Sequence, residues 1–579
     1  NKNNLSGSFQ NQIFIKYLIL FYFVEKSFTN EIYAYALENA IEHGKTMANV
    51  VLPKLFQHGL KKESIKDVIS EINKVVSEVN SMSSEDKIKL IGNYKKFLKE
   101  KVIKEKGLKE LPNVRKNQKL VFRMAPFPSG PLHIGNTKTF LLNALYAEKY
   151  KGKILLVIDD TIGSEEKALI LDAYHLIPEA FDYLKVKYKK PIIYKSDRLN
   201  IYYKYAEELI KKNKAYVCSC SQEALRENRA KKIECACRLL KVADNLERWK
   251  KMFNARQGEY VLRIKTDMKH PNPAFRDRVL FRISEREHPR VGKKYKVWPL
   301  LEFSWAVDDY LLGITHAIRG KELMIEGEMQ NYIWDIFKWK KTNFIYTGLV
   351  KLEGIAGKLS KSKSQKEVLR GEYSGWDDPR TWSVQSLEKR GILQESLREF
   401  VENIGLNQND VVAPVDDLYA INRRKLDSDS NRYFFVENPV ELKIENFPDV
   451  KEIKVKVHPE KPKLKTIELG KSIFVSNKDF NDFNGKEVRL MHLFNVKLDK
   501  KTRFTSMENN PGIKKVHWVS QGVKTKVMMP SGAWAFGLAE KSIEKLKKGE
   551  IIQFERFGFC KYQGKDKLTG EYEFWYTHN

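Results

Sequence analysis

The sequence predicts a multidomain protein that combines α/β and all-β folds. At 579 residues the chain is too long for one hydrophobic core, which suggests roughly three to five domains. Strand candidates alternate with helical patterns from about residue 118 to residue 350, as is typical of a parallel sheet. From about residue 431 the pattern changes to short alternating runs separated by Gly, Pro, Asn and Asp, which indicates β-barrels or sandwiches.

The charge balance is strongly basic, with 104 Lys+Arg against 74 Asp+Glu and a formal net charge of +30. An excess of this size is typical of a nucleic-acid binder, although a lysine-rich composition that serves only solubility would give the same number. Five cysteines in so long a chain do not form a disulfide framework. We therefore expect a cytoplasmic protein.

The N-terminal part of the chain is predicted to be helical. Ile13 to Val24 is an apolar run that is too short to span a bilayer. A signal peptide would need a small-residue cleavage site, which does not follow, so we expect this run to cover the first domain. Apolar residues recur at helical spacing between residues 31 and 110. Residues 1–117 are therefore assigned to an N-terminal helical domain.

A phosphate-binding loop is predicted directly after the first strand of the α/β region. The strand candidate Lys119–Phe122 runs into RMAPFPSGPLHIGN at residues 123–136, and a helical pattern covers residues 137–150. The free N–H groups and positive dipole end of a helix that follows such a loop face an anion. His133 lies near the helix start, and Gly135 lets a ligand approach the backbone closely.

Other strand candidates of this region also end in polar residues. Ile154–Ile158 is followed by Asp159 and Asp160, at the edge where open α/β sheets bind ligands, although loop carboxylates are also common without a ligand. Residues 300–318 return to buried-strand character and end in Arg319. The predicted domain is of the Rossmann type and is split by an insertion. Its assigned segments are residues 118–209 (first half), 210–295 (inserted domain) and 296–350 (second half).

Four cysteines fall inside the insertion as two Cys-x-Cys pairs, Cys218 with Cys220 and Cys235 with Cys237. Four thiolates at this spacing can hold a structural zinc ion. Cys-x-Cys is a tighter arrangement than the more usual Cys-x-x-Cys, and four ordinary reduced cysteines would need no metal. The fifth cysteine, Cys560, lies in a strand candidate and is predicted to be part of the core.

A second loop, GKLSKSK at residues 357–363, follows the sheet. Its lysines could close over a polyphosphate as mobile point charges, although a run of Lys and Ser is usually only a surface loop. Residues 384–426 are predicted to be helical. Residues 351–430 therefore form this loop and a helical connector, and residues 431–579 form the β region.

The two loops together resemble the signature motifs of class I aminoacyl-tRNA synthetases. PLHIGN resembles their HIGH motif, and KLSKS at residues 358–362 resembles their KMSKS loop, about 220 residues further on and beyond the insertion. YKSDRLNIYYKYAEELIKKNKAYVC, RIKTDMKHPNPAFRD and AVDDYLLGITHAIRGKEL are similar to glutamyl-tRNA synthetases of the archaeal type, which are close to glutaminyl-tRNA synthetases. Bacterial glutamyl enzymes have a helical anticodon domain, so the β-rich tail indicates the archaeal branch.

The resemblance implies ATP-dependent ligation of glutamate to the 3′ end of tRNA through a glutamyl-adenylate, with Mg²⁺ accompanying the ATP. It implies an inserted domain that binds the tRNA acceptor end and β-barrels that bind the anticodon. The implied catalytic residues are His133, Lys358 and Lys361. The implied ATP contacts are His133, Gly135, Asn136, Leu359, Ser360 and Lys361, and the implied glutamate contacts are Arg123, Ser129, Asp159 and Arg319.

The implied partners are tRNA(Glu), ATP and L-glutamate, for a monomer without a membrane segment. Whether tRNA(Gln) is also used is left open by the sequence. Arg380 in the connector is the implied tRNA contact, although its surroundings, WDDPR, also fit a helix-start turn capped by aspartate. Exposed aromatic residues of the β region could stack anticodon bases, although most such residues are core. The candidates are Trp518, Trp534, Phe536 and Trp575.

The amino-acid pocket departs from the family pattern at several positions. Asn136 replaces the second histidine of HIGH and keeps a hydrogen-bond donor. Val157 stands where the family commonly has an arginine, Leu301 where many members have a tyrosine, and Phe127 where a small or polar residue is usual. Each of these changes removes hydrogen-bonding capacity from the pocket. A glutaminyl-tRNA synthetase and a catalytically weakened tRNA-binding paralogue are therefore the alternatives.

Overall fold

A computed structural model describes residues 27–99, 107–163, 168–355, 361–470 and 472–579. The predicted apolar cover at residues 13–24 lies outside these ranges. The described residues divide into two compact units: residues 27–99 belong to the first, and the residues from 107 onward belong to the second. No helix within the described ranges is long and apolar enough to cross a membrane.

The first unit is helical, as its apolar spacing predicts. Its helices are α1 (Thr29–His43), α2 (Ala48–Leu55), α3 (Ile65–Ser81) and α4 (Ser84–Tyr94). Helix α3 buries Ile72, Val75 and Val79, which share one face at the helical period. Helix α4 begins where the Ser83 hydroxyl accepts a hydrogen bond from the backbone N–H of Asp86 at 3.1 Å.

The second unit is organised around a five-stranded parallel sheet with the order β3-β2-β1-β8-β9. The sheet strands are β1 (Val121–Met124), β2 (Lys153–Ile158), β3 (Lys189–Tyr194), β8 (His316–Gly320) and β9 (Asn343–Thr347), with β4 to β7 in the insertion. Helices cover this sheet, as a parallel sheet requires. They are α5 (Ile134–Lys149), α6 (Ala173–Tyr183), α7 (Leu199–Lys211) and, further along the chain, α10 (Leu301–Leu311) and α11 (Met324–Phe337).

The insertion, together with residues 297–299 that follow its assigned end at residue 295, forms an antiparallel sheet in the order β4-β5-β6-β7. Its strands are β4 (Ala215–Cys218), β5 (Val261–Ile264), β6 (Val279–Ile283) and β7 (Val297–Pro299), and its helices are α8 (Gln222–Lys231) and α9 (Val242–Met252). The insertion shares one hydrophobic cluster with the catalytic half that follows it, through Phe281, Trp298 and Phe303.

The prediction of a buried strand over residues 300–318 is wrong for most of its length. Eleven of these residues, Leu301–Leu311, form α10, and the strand comprises only His316–Gly320. Helix α10 is buried from Glu302 to Asp309, on all of its sides. A helix that is buried all round shows no polar stripe, so its sequence cannot be distinguished from that of a buried strand by periodicity.

The connector is mostly helical, as predicted. It contains β10 (Val350–Glu353), α12 (Lys361–Leu369), α13 (Val384–Arg390), α14 (Gln394–Ile404), β11 (Val411–Pro414) and α15 (Val415–Leu426). The prediction of uninterrupted helix over residues 384–426 is wrong at β11, which pairs in parallel with β10. This pairing joins segments about sixty positions apart, and only the tertiary fold supplies such a partner.

The β-rich prediction for the C-terminal region holds, with one α-helix, α16 (Asn477–Asp482), and one 3₁₀ helix, Lys541–Lys545, among the described residues. The larger sheet has seven strands in the order β12-β24-β25-β26-β22-β23-β13, and another has the order β20-β19-β18-β21. The strands are β12 (Arg432–Tyr433), β13 (Phe435–Glu437), β14 (Pro439–Leu442), β15 (Glu452–Lys456), β16 (Leu464–Glu468), β17 (Ile473–Ser476), β18 (Glu487–Leu490), β19 (Asn495–Lys497), β20 (Arg503–Ser506), β21 (Lys514–Val516), β22 (Val523–Met528), β23 (Trp534–Ala539), β24 (Ile551–Phe554), β25 (Gly558–Lys565) and β26 (Tyr572–His578).

Candidate active site

Charged residues from four parallel strands meet at the carboxyl edge of the central sheet. Arg123 lies in β1, Asp159 directly follows β2, Lys195 directly follows β3, and Arg319 lies in β8. Their exposed fractions are 6%, 2%, 0% and 4%. Because parallel strands end at one edge, this is the crevice in which open α/β sheets bind ligands.

Arg123 is held by an ion pair and an aromatic ring. Its Nε and Nη2 atoms donate to the carboxylate of Asp309 at 2.5 and 3.1 Å. The guanidinium carbon lies 3.5 Å from the ring centroid of Trp305. Both partners come from α10, which places Arg123 rigidly at the floor of the crevice.

Lys195 is fully buried beside the same indole ring. Its Nζ lies 3.1 Å from Oδ1 of Asp159, 2.8 Å from Oγ of Ser304 and 3.6 Å from the ring centroid of Trp305. The indole N–H of Trp305 donates to Oδ2 of Asp159 at 2.9 Å. Burial lowers the pKa of Lys195, and the Asp159 carboxylate opposes that shift. Asp159 therefore has one oxygen on the lysine and the other on the indole.

Arg319 lacks a carboxylate partner of its own within the described residues. Its Nη1 donates to the neutral side-chain oxygen of Gln330 at 2.5 Å, and its Nε has no hydrogen-bond partner there. Burial, followed by repulsion from Arg123, lowers the pKa of Arg319 from 12.5 to about 10. A buried cation with an unsatisfied donor is costly unless a ligand supplies the missing anion.

The cations around Trp305 are paired with carboxylates, with Arg319 as the exception. Asp159 pairs with Lys195, Asp309 with Arg123, and Asp308 with Arg198 at 2.8 Å. The neighbouring buried Asp160 lies 3.6 Å from Arg290. Within the described residues, the open Nε of Arg319 therefore fits an anionic group of a ligand.

The loop of residues 123–136 ends in a capped helix. His133 Nδ1 accepts from the backbone N–H of Gly135 at 3.1 Å, and Oδ1 of Asn136 accepts from the backbone N–H of His133 at 3.0 Å. Asn136 was expected to serve as a donor, but the structure uses its oxygen as an acceptor that fixes His133. Ser129 is half-buried in the same loop.

The connector packs on this loop. The backbone N–H of Ile134 donates to the carbonyl of Trp382 at 3.2 Å, and that of Val384 donates to the carbonyl of Leu132 at 2.8 Å. Gly130 has φ +136°, and a Cβ there would lie 3.2 Å from the ring of Trp376. The positive φ favours glycine at this position, and the close approach of the indole leaves little room for a Cβ.

The second predicted phosphate loop lies largely outside the described residues. This applies to Lys358, Leu359 and Ser360, and for Lys361 the structure gives only the backbone, at the start of α12. The described strand β10 leads into this loop.

The four cysteines of the insertion converge. Their Sγ atoms all lie within 4.8 Å of one another, and the sulfurs of Cys218 and Cys235 are 3.8 Å apart. Four sulfurs at about 2.3 Å from a tetrahedral zinc ion would be separated by roughly 3.8 Å. The hydrogen bond between Cys218 and Cys235 holds the pKa of Cys235 well below its usual range.

Two arginines lie against this sulfur cluster. Nη1 of Arg263 is 3.6 Å from Sγ of Cys235, and Nη1 of Arg248 is 3.6 Å from Sγ of Cys237. A zinc ion with four thiolates has a charge of −2, which two arginines balance. Arg263 also donates through Nε to the backbone carbonyl of Asp277 at 2.8 Å, which links the cluster to the segment that precedes strand β6.

The predicted tRNA contact, Arg380, is engaged within the chain. Its Nε donates to Oδ1 of Asp378 at 2.8 Å, and its guanidinium lies 4.2 Å from the ring centroid of Tyr373. A Cβ on Gly532 would lie 2.7 Å from its Nε, so Arg380 also packs on the loop between β22 and β23.

The aromatic candidates for base stacking divide into two pairs. Trp518 and Trp575 are 0% and 3% exposed, so the alternative of a buried aromatic residue applies to both. Trp518 belongs to a hydrophobic cluster of the C-terminal region, and the ring centroid of Trp575 lies 4.0 Å from Nζ of Lys389. Phe536 is 51% exposed and Trp534 is half-buried on the same strand. Cys560 is fully buried, as predicted.

Sequence reasoning missed two residues of the crevice, Lys195 and Trp305. Lys195 lies in the segment YKSDR, directly after a strand. This position at a strand end is the sequence feature that could have identified it as a residue of the crevice. Val157, Leu301 and Phe127, which differ from the usual residues of the family, have apolar side chains and form no new polar contacts. Val157 is buried in the sheet, and Leu301 and Phe127 are half-buried. The polar groups of the crevice come from β3 and α10 instead.

Comparison with known proteins places this geometry in a family. The catalytic-domain model of the class I tRNA synthetases (E and Q) matches residues 119–428. Two anti-codon binding domain models of the same family match residues 430–511 and 515–563. The chain belongs to the class I tRNA synthetases (E and Q).

Individual relatives match along nearly the whole length. A glutamate–tRNA ligase of Methanocaldococcus jannaschii is 41% identical over 547 residues, which covers 92% of this chain and 97% of the relative. A glutamate–tRNA ligase of Pyrococcus abyssi is 42% identical, and the match covers 93% of this chain and 97% of the relative. A glutamate–tRNA ligase of Methanothermobacter marburgensis is 36% identical, and the match covers 94% of this chain and 99% of the relative.

Proposed function

We propose that the protein ligates glutamate to the 3′ end of tRNA(Glu) with ATP, through a glutamyl-adenylate, as a cytoplasmic monomer. The relatives that match over more than nine-tenths of the chain are named glutamate–tRNA ligases. The alternatives, a glutaminyl enzyme and a weakened tRNA-binding paralogue, receive no comparable support.

The observation that carries the choice of amino acid is the unpaired charge of Arg319. Zwitterionic glutamate has a net charge of −1, and zwitterionic glutamine has none. Among the ion pairs around Trp305, each described cation has a carboxylate except Arg319, so the second carboxylate of glutamate would supply the missing anion. The side-chain carboxylate of glutamate would accept from Nε of Arg319, since a charge-assisted bond to a guanidinium is stronger than one to an amide.

Activation needs the glutamate α-carboxylate to attack the α-phosphate of ATP and expel pyrophosphate. Positioning and electrostatic stabilisation dominate such a transfer. ATP enters as its magnesium complex, which is a substrate. His133, Gly135 and Asn136 would bind its phosphates at the N-terminus of α5, and Lys358, Leu359, Ser360 and Lys361 would close over them.

His133 is suited to this role because its ring is fixed on one side. The bond from the Gly135 N–H to Nδ1 leaves Nε2 as the only ring nitrogen that can carry a proton in the neutral imidazole. A proton at Nε2 could be donated to a phosphate oxygen. In the same crevice, Arg123, Ser129 and Asp159 would bind and orient the α-amino and α-carboxylate groups of glutamate.

Transfer to tRNA then requires its terminal adenosine to reach the adenylate. The proposed domains are residues 1–117 (helical), 118–209 and 296–350 (catalytic halves), 210–295 (acceptor-binding), 351–430 (loop and connector) and 431–579 (anticodon-binding). Arg380 and the exposed Phe536 are the proposed tRNA contacts of the last two. Arg380 would first have to exchange Asp378 for a phosphate.

The four cysteines Cys218, Cys220, Cys235 and Cys237 would hold a structural zinc ion. The sulfur separations fit tetrahedral coordination, and Arg263 and Arg248 balance the charge of a four-thiolate site. The ion would fix β4 and the turn after α8 in the inserted domain and has no part in adenylate chemistry.

The direct test is ATP–pyrophosphate exchange with glutamate in the presence of tRNA, followed by acid-gel charging with labelled glutamate and glutamine. We expect exchange and charging with glutamate and at most a trace with glutamine. Charging with glutamine at a comparable kcat/KM would favour the glutaminyl enzyme. Tight, salt-sensitive tRNA binding without any charging would favour the weakened paralogue.

A further inference from the structure

Lys195 is an unusual residue for the interior of a protein, because a lysine is almost never fully buried unless it is paired. Its exposed fraction is 0%, and its Nζ lies 3.1 Å from Oδ1 of Asp159. It directly follows β3 at the carboxyl edge of the sheet. Asp159, which follows the neighbouring strand β2, and Arg123 in β1 lie at the same edge.

We propose that Lys195 is a positioning residue that sets the choice between glutamate and glutamine, by cancelling the charge of Asp159 and fixing Trp305 in the amino-acid crevice. This inference rests on the proposed function. Without the lysine ammonium, the buried Asp159 carboxylate would be an uncompensated negative charge in a site that has to accept a second carboxylate.

The contacts explain why a lysine performs this task. Asp159 receives Lys195 on one oxygen and the Trp305 indole N–H on the other, so its charge is neutralised and its orientation fixed. The lysine and Arg123 both lie within 3.6 Å of the Trp305 ring centroid, which keeps the indole in place as a wall. Ser304 accepts a further hydrogen bond from Lys195 at 2.8 Å.

The effect on specificity follows from counting charge. Within the three ion pairs around Trp305 and Arg319 there is an excess of one positive charge, that of Arg319. Lys195→Met lowers that excess to zero, and adding Asp159→Asn to it restores the excess of one. Glutamate and glutamine share the same α-amino and α-carboxyl groups and have similar shape. The ratio of their affinities therefore reports the charge met by the side chain rather than the packing of the site.

The experiment compares wild type, Lys195→Met, Asp159→Asn and the double variant in tRNA-dependent pyrophosphate exchange. It measures kcat and KM for glutamate and the inhibition constant of glutamine, together with the unfolding temperature. We expect Lys195→Met to raise the ratio of the glutamate KM to the glutamine inhibition constant by roughly tenfold to a hundredfold, the size of one charge at close range in a partly screened interior. The double variant should return the ratio to within about threefold of wild type, as a charge effect requires.

A role limited to packing predicts a different pattern. Lys195→Met would then raise the glutamate KM and the glutamine inhibition constant by the same factor, and the double variant would show no recovery of their ratio. Either result would overturn the proposal. If Lys195→Met does not fold, the other two variants decide. Asp159→Asn, with an excess of two, should lower the ratio below wild type, whereas an increase would refute the charge argument. Lys465→Met is the matched control, because it removes a half-buried lysine paired with Glu540 in the C-terminal region.

Failure of the inference and failure of the proposed function are distinguishable. If wild type shows no glutamate-dependent exchange, the proposed function fails and this inference falls with it. If wild type is active and the ratio is unchanged in Lys195→Met, only the role of Lys195 is refuted.

Discussion

Arg319→Met should separate function from stability more clearly than any other single change in the crevice. Arg319 is 4% exposed and its Nε has no hydrogen-bond partner among the described residues. Removing it takes away the cation that would meet the side-chain carboxylate of glutamate. A charge left buried without its partner costs about 3–5 kcal/mol. We therefore expect kcat/KM for glutamate to fall by roughly a hundredfold to a few thousandfold, since 1.4 kcal/mol is tenfold.

The same substitution should not destabilise the free protein. Burial and Arg123 lower the pKa of Arg319 from 12.5 to about 10, a difference that corresponds to about 3 kcal/mol against the charged form in the folded state. The guanidinium is charged in both the folded and the unfolded chain at pH 7, so this cost is present throughout the neutral range. Methionine removes the cost, and the unfolding temperature should stay constant or rise.

The assay pairs tRNA-dependent pyrophosphate exchange with thermal unfolding in the absence of substrates. Arg489→Met is the matched control, because Arg489 is 8% exposed and donates to Asn495 and to three backbone carbonyls. It should lose stability and keep the wild-type KM for glutamate. A loss of stability in Arg319→Met, or a kcat/KM within threefold of wild type, would refute the assignment of Arg319 to the substrate carboxylate.

Three further predictions concern the cap, the cysteine site and acid stability. Asn136→Ala removes the capping hydrogen bond to the backbone of His133, so it should cost about 1 kcal/mol of stability and raise the KM for ATP. Asn136→Asp keeps an acceptor and should preserve the cap. An unchanged KM for ATP in Asn136→Ala would contradict a role of this cap in ATP binding. Arg263→Met should weaken retention of bound zinc under chelator dialysis, measured by metal analysis, and equal retention would contradict the charge balance. Burial lowers the pKa of His517 to about 3, so between pH 6.5 and pH 3 the unfolded chain binds more protons than the folded chain, and the free energy of unfolding falls as the pH falls. His517→Leu should reduce the loss of this free energy between pH 7.5 and 5.5 by about 1 kcal/mol, measured by urea unfolding. The same pH dependence of stability in wild type and variant would contradict this prediction.

The sequence predicted the local features well where one short segment contains the whole signal. The helix of the first unit that buries Ile72, Val75 and Val79 follows from apolar spacing alone. The loop that ends in His133 was placed between a strand and a helix because proline, glycine and the change of periodicity lie within a few residues. The signal failed at Leu301–Leu311, where burial on all sides removed the polar stripe that distinguishes a helix.

The sequence by itself determined the division into helical, α/β and β-rich regions, the basic charge, the two loop motifs and the paired cysteines, since these features are local or compositional. Only the tertiary structure decided which charges meet in the crevice. Arg123 and Asp309 are 186 positions apart, and Asp159 and Trp305 are 146 positions apart. No periodicity connects such residues, because their contact is made by parallel strands and a buried helix that come together only in the folded chain. For the same physical reason the lack of a carboxylate for Arg319, and the lysine that neutralises Asp159, could be found only there.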